Sequence, residues 1–367
     1  MRAGVCSAIG AGLCVETLEE PRPRAGEVLI EVTTCGVCHT DLHVLKGEVA
    51  FPLPAVLGHE ISGTVADVGE HVDGIRVGQR VVSSFIMPCG RCPRCVRGEE
   101  DLCETFFAMN RLRGTLYDGE TRLYRPGGEP IAMYSMGGLA ERCVVPETDV
   151  FAIPDELDLR DVATLGCSAL TAYGAVRNVA DLRAGQSVAV VAAGGVGSSI
   201  IQLASLFGAS QIVAVDIADD KLEAARSLGA TAVVNSRRDD PAAVVAQLTA
   251  GRGVDVAFEV LGSAATFNVA AGLVGDHGAV VVVGIAAAGA VGEIDLTRLP
   301  RRKLRILGSY GGRPRSDMPA LVELVRRGQL APQRAITRRY DLESADQAYS
   351  ALDRGEIIGR AVIDVSP

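Results

Sequence analysis

Four closely spaced cysteines are the residues of this sequence that most clearly indicate chemistry. They lie in the stretch MPCGRCPRCVRGEEDLC and are Cys89, Cys92, Cys95 and Cys103. A C-x2-C-x2-C turn presents three thiolates to one point, and the fourth cysteine can close a tetrahedron, as in tetrathiolate zinc sites. An iron–sulfur run more often has a shorter last gap followed by proline. Disulfides are disfavoured because the chain has ten cysteines and no evident export signal.

This metal is expected to hold a loop in shape and to do no chemistry. Four thiolates fill a tetrahedral site, so no position remains for a substrate. The spacing therefore predicts a structural zinc lobe over residues 87–103, and a catalytic site must lie elsewhere.

A second candidate site lies in GVCHTDLHVLKGEVAFPLPAVLGHE, residues 36–60. Cys38 and His59 are possible metal ligands, Asp41 could orient a histidine, and Glu60 is adjacent. Taken singly, Cys38 is more typical of a buried core residue and His59 of a hydrogen-bonded loop histidine. Together, and flanked by turn-forming glycines and prolines, they favour a site.

The second half of the chain has the pattern of a nucleotide-binding unit. Residues 187–216 read as a strand over 188–191, a glycine-rich turn over 192–197, an amphipathic helix, a strand over 212–215 and Asp216. This is the dinucleotide fingerprint in its βαβ setting. The helix N-terminus would offer free N–H groups to a pyrophosphate.

Two residues of this segment bear on the cofactor. Ala192 replaces the first glycine of the fingerprint, and alanine is comfortable there only if φ stays negative. Asp216 could accept hydrogen bonds from a ribose diol and repel a 2′-phosphate, which favours NAD over NADP. It could equally serve to end its strand, and the two roles are compatible.

Further strands continue the alternation and predict an α/β fold with a doubly wound parallel sheet of six strands. These four strands are expected at residues 231–235, 255–260, 279–284 and 303–310. The chain of 367 residues is long enough for two domains, and its 48 % hydrophobic and 22 % charged residues are ordinary for a globular protein.

Charge and hydropathy exclude several classes of partner. The formal net charge of −9 opposes binding to nucleic acid or acidic membranes. No apolar run reaches the roughly 18 residues of a membrane helix, and the N-terminal segment is expected to be the first strand of the fold, not a signal peptide. A cytoplasmic location is therefore expected.

In their order along the chain, these motifs identify a family resemblance. The sequence CGVCHTDLH, the triplet GHE, the four-cysteine lobe, LGCSALTAYGA and GGVG together resemble the zinc-containing alcohol dehydrogenases of the medium-chain dehydrogenase/reductase superfamily, essentially from end to end. The stretch at 113–131 is also similar to the segment after the zinc lobe in animal-type alcohol dehydrogenases and glutathione-dependent formaldehyde dehydrogenases.

The resemblance implies a catalytic zinc besides the structural one. Cys167 is expected to join Cys38 and His59 as a ligand, with Glu60 as an alternate ligand and Asp41 behind the histidine. Zinc would act as a Lewis acid on the alcohol, and hydride would pass to NAD.

The resemblance also implies roles for residues around the metal. Thr40 and His43 match a proton relay, and Phe85 matches an aromatic residue of the alcohol pocket. The cofactor contacts implied are His39, Thr171, Gly194, Gly195, Val196, Gly197, Asp216, Lys221 and Arg360.

The family fold predicts how the chain is divided. Residues 1–167 would form a GroES-like, β-rich catalytic domain, 168–311 a Rossmann-type dinucleotide-binding domain, and 312–367 would return to the catalytic domain. A homodimer or homotetramer acting on a small alcohol or carbonyl compound is expected.

Several other functions stay open on the sequence. A thiol-adduct (formaldehyde-type) dehydrogenase and a CoA-linked or terpenoid alcohol dehydrogenase fit the same motifs, whereas Cys167 counts against a polyol dehydrogenase. A catalytically dead binding or structural relative is disfavoured by the intact ligands and relay. A zinc ribbon for nucleic acid is opposed by the acidic charge.

Overall fold

The N-terminal part of the chain folds mainly into β-strands joined by turns. In the computed structural model, which describes residues 1–287 and 289–366, its strands are β1 Arg2–Cys6, β2 Cys14–Thr17, β3 Glu27–Val37, β4 Ala55–Val56, β5 Ile61–Val68, β6 Arg80–Ser83, β7 Leu123–Tyr124, β8 Pro130–Met133, β9 Arg142–Pro146 and β10 Phe151–Ala152. Its α-helices are short: α1 His39–Leu45, α2 Pro93–Val96, α3 Leu159–Val162 and α4 Ser168–Tyr173. A π-helix spans Phe106–Arg111, and 3-10 turns span Glu100–Leu102, Glu147–Asp149 and Ala163–Gly166.

The middle part of the chain alternates strands with helices. It begins with a second π-helix, Gly174–Val179, followed in order by β11 Ser187–Val191, α5 Gly195–Leu206, β12 Gln211–Asp216, α6 Asp219–Ser227, β13 Ala232–Asn235, α7 Pro241–Leu248, β14 Val254–Glu259, α8 Ala264–Leu273, β15 Val274–Val282, α9 Arg298–Arg301 and β16 Arg305–Gly308.

The C-terminal part adds two helices and two strands: α10 Pro314–Arg326, β17 Ile336–Asp341, α11 Ala345–Asp353 and β18 Arg360–Asp364, with 3-10 turns at Pro332–Ala335 and Leu342–Ser344. The chain divides into two units, of which the first comprises Met1–Leu170 with Arg313–Pro367 and the second Thr171–Gly312. Within the described residues, every helix is too short or too polar to cross a membrane.

The first unit contains two sheets. Five strands pair in the order β2-β1-β4-β8-β7, and seven strands form the other sheet in the order β10-β6-β5-β3-β18-β17, with β9 also on β3. β18 pairs antiparallel with β3, where Val362 faces Gly36, and parallel with β17. The last strand of the chain is therefore enclosed between two others, and it fixes one edge of the candidate site described below.

The second unit is a six-stranded parallel sheet in the order β13-β12-β11-β14-β15-β16. Its inner strands are runs of buried valine and alanine, as expected where helices cover both faces. The predicted α/β class with a doubly wound parallel sheet is thus confirmed. β15 begins five residues earlier than predicted, because Val274 already pairs with Val254 before a shift in register.

In the turn after β11, Ala192 does not have the negative φ that suits an alanine. Ala192 has φ of +80°, in the left-handed region that favours glycine. The conformation is held by a hydrogen bond of 2.8 Å from the Ala192 N–H to the oxygen of Val215. It is also held by close packing of the backbone against Gly197, since a Cβ at position 197 would lie 2.2 Å from the Ala192 oxygen. The alanine therefore carries strain that the sheet and the helix together impose.

Replacing Ala192 by glycine is expected to stabilise the second unit. Relief of the left-handed strain outweighs the extra freedom of glycine in the unfolded chain, so we expect a gain of about 1 kcal/mol. Thermal melting followed by circular dichroism measures it, with Ala193→Gly as the matched control. A melting temperature for Ala192→Gly below that of the parent would show that the turn is not strained.

Candidate metal centres

The four cysteines of the predicted lobe lie together in the first unit. Cys92 is the N-cap of α2, Cys95 lies within this helix, and Cys103 follows a 3-10 turn. The Sγ atoms of Cys89 and Cys95 are 4.0 Å apart. Those of Cys92 and Cys103 are 3.9 Å apart. Two thiolates bound to one tetrahedral zinc are about 3.8 Å apart, so the spacing suits zinc and is far too long for a disulfide.

Backbone N–H groups around the lobe point at its sulfurs. Cys92 N–H donates to the Sγ of Cys89 at 3.3 Å, and Phe106 N–H donates to the Sγ of Cys103 at 3.4 Å. Burial would raise the pKa of Cys92, but the N–H groups of Cys95 and Glu104 lower it to about 6. These donors favour thiolates, which is the form that binds metal.

The lobe is fastened to the start of α10. Arg315 donates from its backbone N–H and its guanidinium to the carboxylate of Glu100, and a further guanidinium N–H reaches the oxygen of Cys95 at 3.2 Å. Glu100 is buried. The sequence pattern gave no sign of this anchor, because its two residues are far apart along the chain.

A second cluster brings together Cys38, His59, Glu60 and Cys167. All four are buried, and one ligand atom from each lies within 4.8 Å of the others. Cys38 is the N-cap of α1, and Cys167 follows the 3-10 turn that leads into α4. The structure therefore gathers the residues predicted to bind the catalytic zinc, although Cys167 is remote from the others in sequence.

Asp41 holds the imidazole of His59 from behind. Its Oδ1 accepts hydrogen bonds from His59 Nδ1 at 2.9 Å and from the backbone N–H of Gly58 at 3.1 Å. Its Oδ2 accepts from the hydroxyl of Tyr349 on α11 at 3.0 Å. Since Nδ1 is bound to Asp41, Nε2 is the ring nitrogen left for a ligand. The contribution of Tyr349 was missed, because nothing in its local sequence marks it.

The donor set fits a zinc ion. Within the described residues Nε2 of His59 is buried and makes no hydrogen bond, an arrangement that a metal would satisfy. Burial would lower the pKa of His59, but the charges of Asp41 and Cys38 raise it to about 9. Two sulfurs and one imidazole are ligands that zinc prefers, and its binding would release the proton from the ring.

The two cysteines of this cluster share a proton when no metal is bound. The hydrogen bond between them lowers the pKa of Cys38 well below its ordinary value and raises that of Cys167 well above it. One thiolate is therefore ready to bind, and the second thiol must lose its proton when a metal enters.

Glu60 lies at the other side of the cluster and forms a buried ion pair with Arg360 at the start of β18. Its side chain occupies the space beside Gly36, where a Cβ would lie 2.4 Å from the Glu60 carboxyl carbon. Any larger residue at position 36 would therefore force the Glu60 side chain to move. The positive charge of Arg360 offsets part of the free energy needed to take the Glu60 carboxylate out of water.

The residues predicted to carry protons lie on α1. The hydroxyl oxygen of Thr40 is 3.5 Å from the Sγ of Cys38. His43 follows one turn later, so it lies on the same side of the helix. Its Nδ1 is paired with the carboxylate of Glu48, a partner that the sequence analysis did not identify.

Phe85 lies beside the second cluster. Its backbone N–H donates to the oxygen of Gly166 at 2.9 Å, directly before Cys167, and its ring meets that of His59 edge-on with centroids 6.1 Å apart. Tyr134 makes a similar contact with His59 at 6.1 Å. The guanidinium of Arg111 stacks over Tyr134 at 4.1 Å. Tyr134 and Arg111 were not predicted as site residues.

The cofactor candidates fall in both units. His39 and Arg360 belong to the first, and the rest belong to the second: Thr171, Gly194, Gly195, Val196, Gly197, Asp216 and Lys221. The carboxylate of Asp216 accepts hydrogen bonds from Ala193 N–H at 2.8 Å and from the N–H groups of Ile217 and Ala218 at 2.7 and 3.1 Å. Asp216 therefore holds the backbone in the region where a nucleotide is expected to bind.

Comparisons with known proteins match both units of the chain. Residues 24–155 match the family described as alcohol dehydrogenase GroES-like domain, and residues 195–327 match the family described as zinc-binding dehydrogenase. The chain is 34 % identical over 377 residues to an NDMA-dependent alcohol dehydrogenase from Amycolatopsis methanolica, covering 99 % of this chain and 98 % of the relative. It is 33 % identical over 368 residues to an S-(hydroxymethyl)glutathione dehydrogenase from Synechocystis, covering 99 % of both.

Comparison with solved structures also finds alcohol dehydrogenases. An alcohol dehydrogenase zinc-binding domain protein from Burkholderia ambifaria superimposes with a TM-score of 0.95 at 34 % identity, covering 100 % of this chain and 99 % of that one. The benzyl alcohol dehydrogenase from Acinetobacter calcoaceticus superimposes with a TM-score of 0.93 at 31 % identity, with the same coverage.

Proposed function

We propose that this chain, which belongs to the zinc-containing medium-chain alcohol dehydrogenase family, uses NAD as its hydride acceptor. It is a zinc-dependent oxidoreductase that takes hydride from an alcohol. Its catalytic zinc is proposed to be held by Cys38, His59 and Cys167. The observation that carries the ligand set is the buried Nε2 of His59, which makes no hydrogen bond within the described residues and lies with two cysteine sulfurs. A second zinc would be held by the four-cysteine lobe and would support the fold.

The residues of the catalytic site divide the work among them. When bound, zinc supplies a Lewis acid that acidifies the hydroxyl of the alcohol. Asp41 keeps the proton of His59 on Nδ1 and so presents the other nitrogen as a ligand. Glu60, paired with Arg360, is an alternate ligand, and Phe85 walls the pocket with an apolar ring.

A proton must leave the alcohol when its hydride is removed. The hydroxyl of Thr40 can accept a proton on one side and donate one on the other, and it lies beside the ligand Cys38. His43, one turn further along α1, would take the proton next, because histidine is the side chain that most often transfers protons in enzymes. Glu48, bound to Nδ1 of His43, fixes the orientation of the ring.

Cofactor choice is proposed to depend on Asp216. Replacing it by asparagine keeps the size of the side chain and removes the charge that would repel a 2′-phosphate, although one of the two oxygens that accept backbone N–H groups becomes an NH2 group. We expect the ratio of kcat/KM for NAD over NADP to fall at least about tenfold, which corresponds to about 1.4 kcal/mol. Steady-state rates of cofactor reduction measure it. Asp219→Asn removes an exposed carboxylate that pairs with Arg238 and should leave the ratio unchanged. A wild-type enzyme that already prefers NADP would contradict the proposed role.

A thiol-adduct dehydrogenase is the second candidate function. It is supported by the relative from Synechocystis named S-(hydroxymethyl)glutathione dehydrogenase and by the sequence of residues 113–131. The two candidates differ in substrate and share the same metal and relay residues.

A substrate panel tests the proposed function. Purified protein would be given primary, secondary, allylic and aromatic alcohols, and formaldehyde with glutathione, each with NAD, with NADP, or with NDMA, the compound for which one relative is named. Reduction of NAD by simple alcohols is the result expected. Oxidation of the glutathione adduct alone would establish the second candidate, and turnover only with NDMA would overturn the assignment of free NAD as acceptor.

A further inference from the structure

Glu259, the last residue of β14, has a buried carboxyl group that holds the turn after this strand. The residue is 1 % exposed. Its Oε1 accepts hydrogen bonds from the backbone N–H groups of Leu261 at 2.9 Å and Gly262 at 2.8 Å. The hydroxyl of Thr266 on α8 donates to the same oxygen at 2.7 Å. Three donors on one oxygen thus fix the chain between β14 and α8 in one conformation.

The turn held by Glu259 also contacts the chain on both sides. β14 lies between β11 and β15 in the parallel sheet. Val260 N–H donates at 3.1 Å to the oxygen of Val191, which is the last residue before the glycine-rich turn. A Cβ on Gly262 would lie 2.5 Å from the backbone of Ile285, so the turns after β14 and β15 are in direct contact. The Glu259 carboxyl group therefore stabilises a turn that joins the ends of three neighbouring strands.

The end of β14 lies at the point where the strand order of the sheet reverses. From β11 the chain passes to β12 and β13 on one side, and it then crosses to β14, β15 and β16 on the other. The reversal falls between β11 and β14, and in open parallel sheets ligands bind outside the carboxyl ends of the strands at this point. The turn after Glu259 is therefore expected to form one wall of the dinucleotide crevice.

A second acid, on the other side of β11, has the same arrangement. Asp216 ends β12 and accepts hydrogen bonds from the N–H groups of the two residues that follow it and from Ala193 N–H. Both strands next to β11 thus end in an acid that bonds the backbone of its own following turn. A leucine could fill the place of Glu259 without the free energy that burial of a carboxyl group needs. This cost indicates that the conformation of the turn matters, as in sites that are preorganised for a ligand.

We propose that Glu259 is a positioning residue for the dinucleotide and holds the turn at residues 260–262 in the conformation that binds it. This inference rests on the proposed function, because it concerns the cofactor of the same enzyme. Glu259 acts through the backbone, whereas Asp216 is proposed to meet the ribose itself. Loss of Glu259 should therefore weaken the binding of NAD and NADP alike, since a free turn must be ordered before either cofactor can bind.

The test separates the acceptor oxygen of Glu259 from its carboxyl group as a whole. Glu259→Gln keeps an oxygen that can accept the two N–H groups, so its Kd for NAD should stay within about twofold of the wild-type value. Glu259→Leu has a similar size but no acceptor, and its Kd should rise by about tenfold or more. Isothermal titration calorimetry on the zinc-loaded protein measures both, with NADP in a parallel series. In steady-state kinetics, KM for NAD should rise while kcat at saturating NAD changes little.

Thr249→Val is the matched control for this experiment. Thr249 is buried near the other end of β14, and its hydroxyl oxygen accepts the N–H of Gly253 at 2.9 Å. The variant therefore also leaves a backbone N–H unpaired and should also melt at a lower temperature, but the change lies at the amino end of the strand. Its Kd for NAD should equal that of the wild type, which separates positioning of the turn from a general loss of stability.

Thr266→Val covers the case in which Glu259→Leu does not fold. It keeps the carboxyl group but removes one of its donors, and its Kd for NAD should rise by about fivefold. Wild-type Kd values in the folded variants, or an equal rise in Thr249→Val, would overturn the proposal. A rise for only one of NAD and NADP would also overturn it, because backbone positioning acts on both. A wild type that binds neither cofactor would contradict the proposed function itself, so the two failures are distinguishable.

Discussion

Cys167→Ser is expected to lose one zinc ion per chain and to remain folded. Its rate of alcohol oxidation should fall by about a thousandfold or more. Serine has the shape of cysteine but is a poor zinc ligand, and a Lewis acid contributes several kcal/mol to such a reaction. Cys167 is buried with Cys38, His59 and Glu60, and of these only the alternate ligand Glu60, which is paired with Arg360, could take its place. Elemental analysis and steady-state kinetics on the same sample measure both effects.

Cys143→Ser is the matched control for this experiment. Cys143 lies on β9, is equally buried in the first unit and belongs to neither metal cluster. It should keep two zinc ions and most of the activity. A Cys167→Ser enzyme with two zinc ions and normal turnover would show that the proposed ligand set is wrong.

Cys95→Ser is expected to destabilise the fold. Any protein that remains soluble should keep its catalytic activity. A structural zinc contributes much of the free energy that folds its surroundings, so we expect insoluble protein or a melting temperature lower by more than about 10 °C. The effect should spread beyond the lobe, because Arg315 at the start of α10 is bonded to Glu100 and to the oxygen of Cys95.

The exposed Cys14, outside both clusters, gives the control variant Cys14→Ser, which should melt like the parent. Differential scanning calorimetry with zinc analysis separates the outcomes. A soluble Cys95→Ser protein that melts normally but has no turnover would reverse the assignment of the structural and catalytic metals.

Local sequence was enough to predict those parts of the protein whose residues are neighbours along the chain. The spacing of Cys89, Cys92 and Cys95 around one turn predicts a shared metal, and the structure places their sulfurs at distances that suit zinc. The alternation of strands and helices after residue 187 likewise predicts the six-stranded sheet that is observed. Both patterns arise from short-range geometry.

Contacts between remote segments could not be predicted in this way. Cys167 entered the site only through resemblance to a family, because its spacing from His59 carries no information. The hydrogen bond from the Tyr349 hydroxyl to Asp41 depends on how whole elements pack. The same is true of the hydrogen bond from the Asn110 amide to the oxygen of Ser135. The φ of Ala192 was equally out of reach, since the sheet and helix on either side impose it.

The position of β18 has a consequence for how the protein is made. This strand is the last of the described strands to leave the ribosome, yet it pairs with β3 in the interior of a sheet and carries Arg360, the partner of Glu60. The six strands of the second unit are all synthesised earlier and can pair among themselves. Until β18 has left the ribosome, the second half of β3, residues 34–37, therefore presents an unpaired edge that can capture another nascent chain, and Glu60 lacks its partner Arg360. Synthesis of the candidate catalytic site thus ends with the element that closes it.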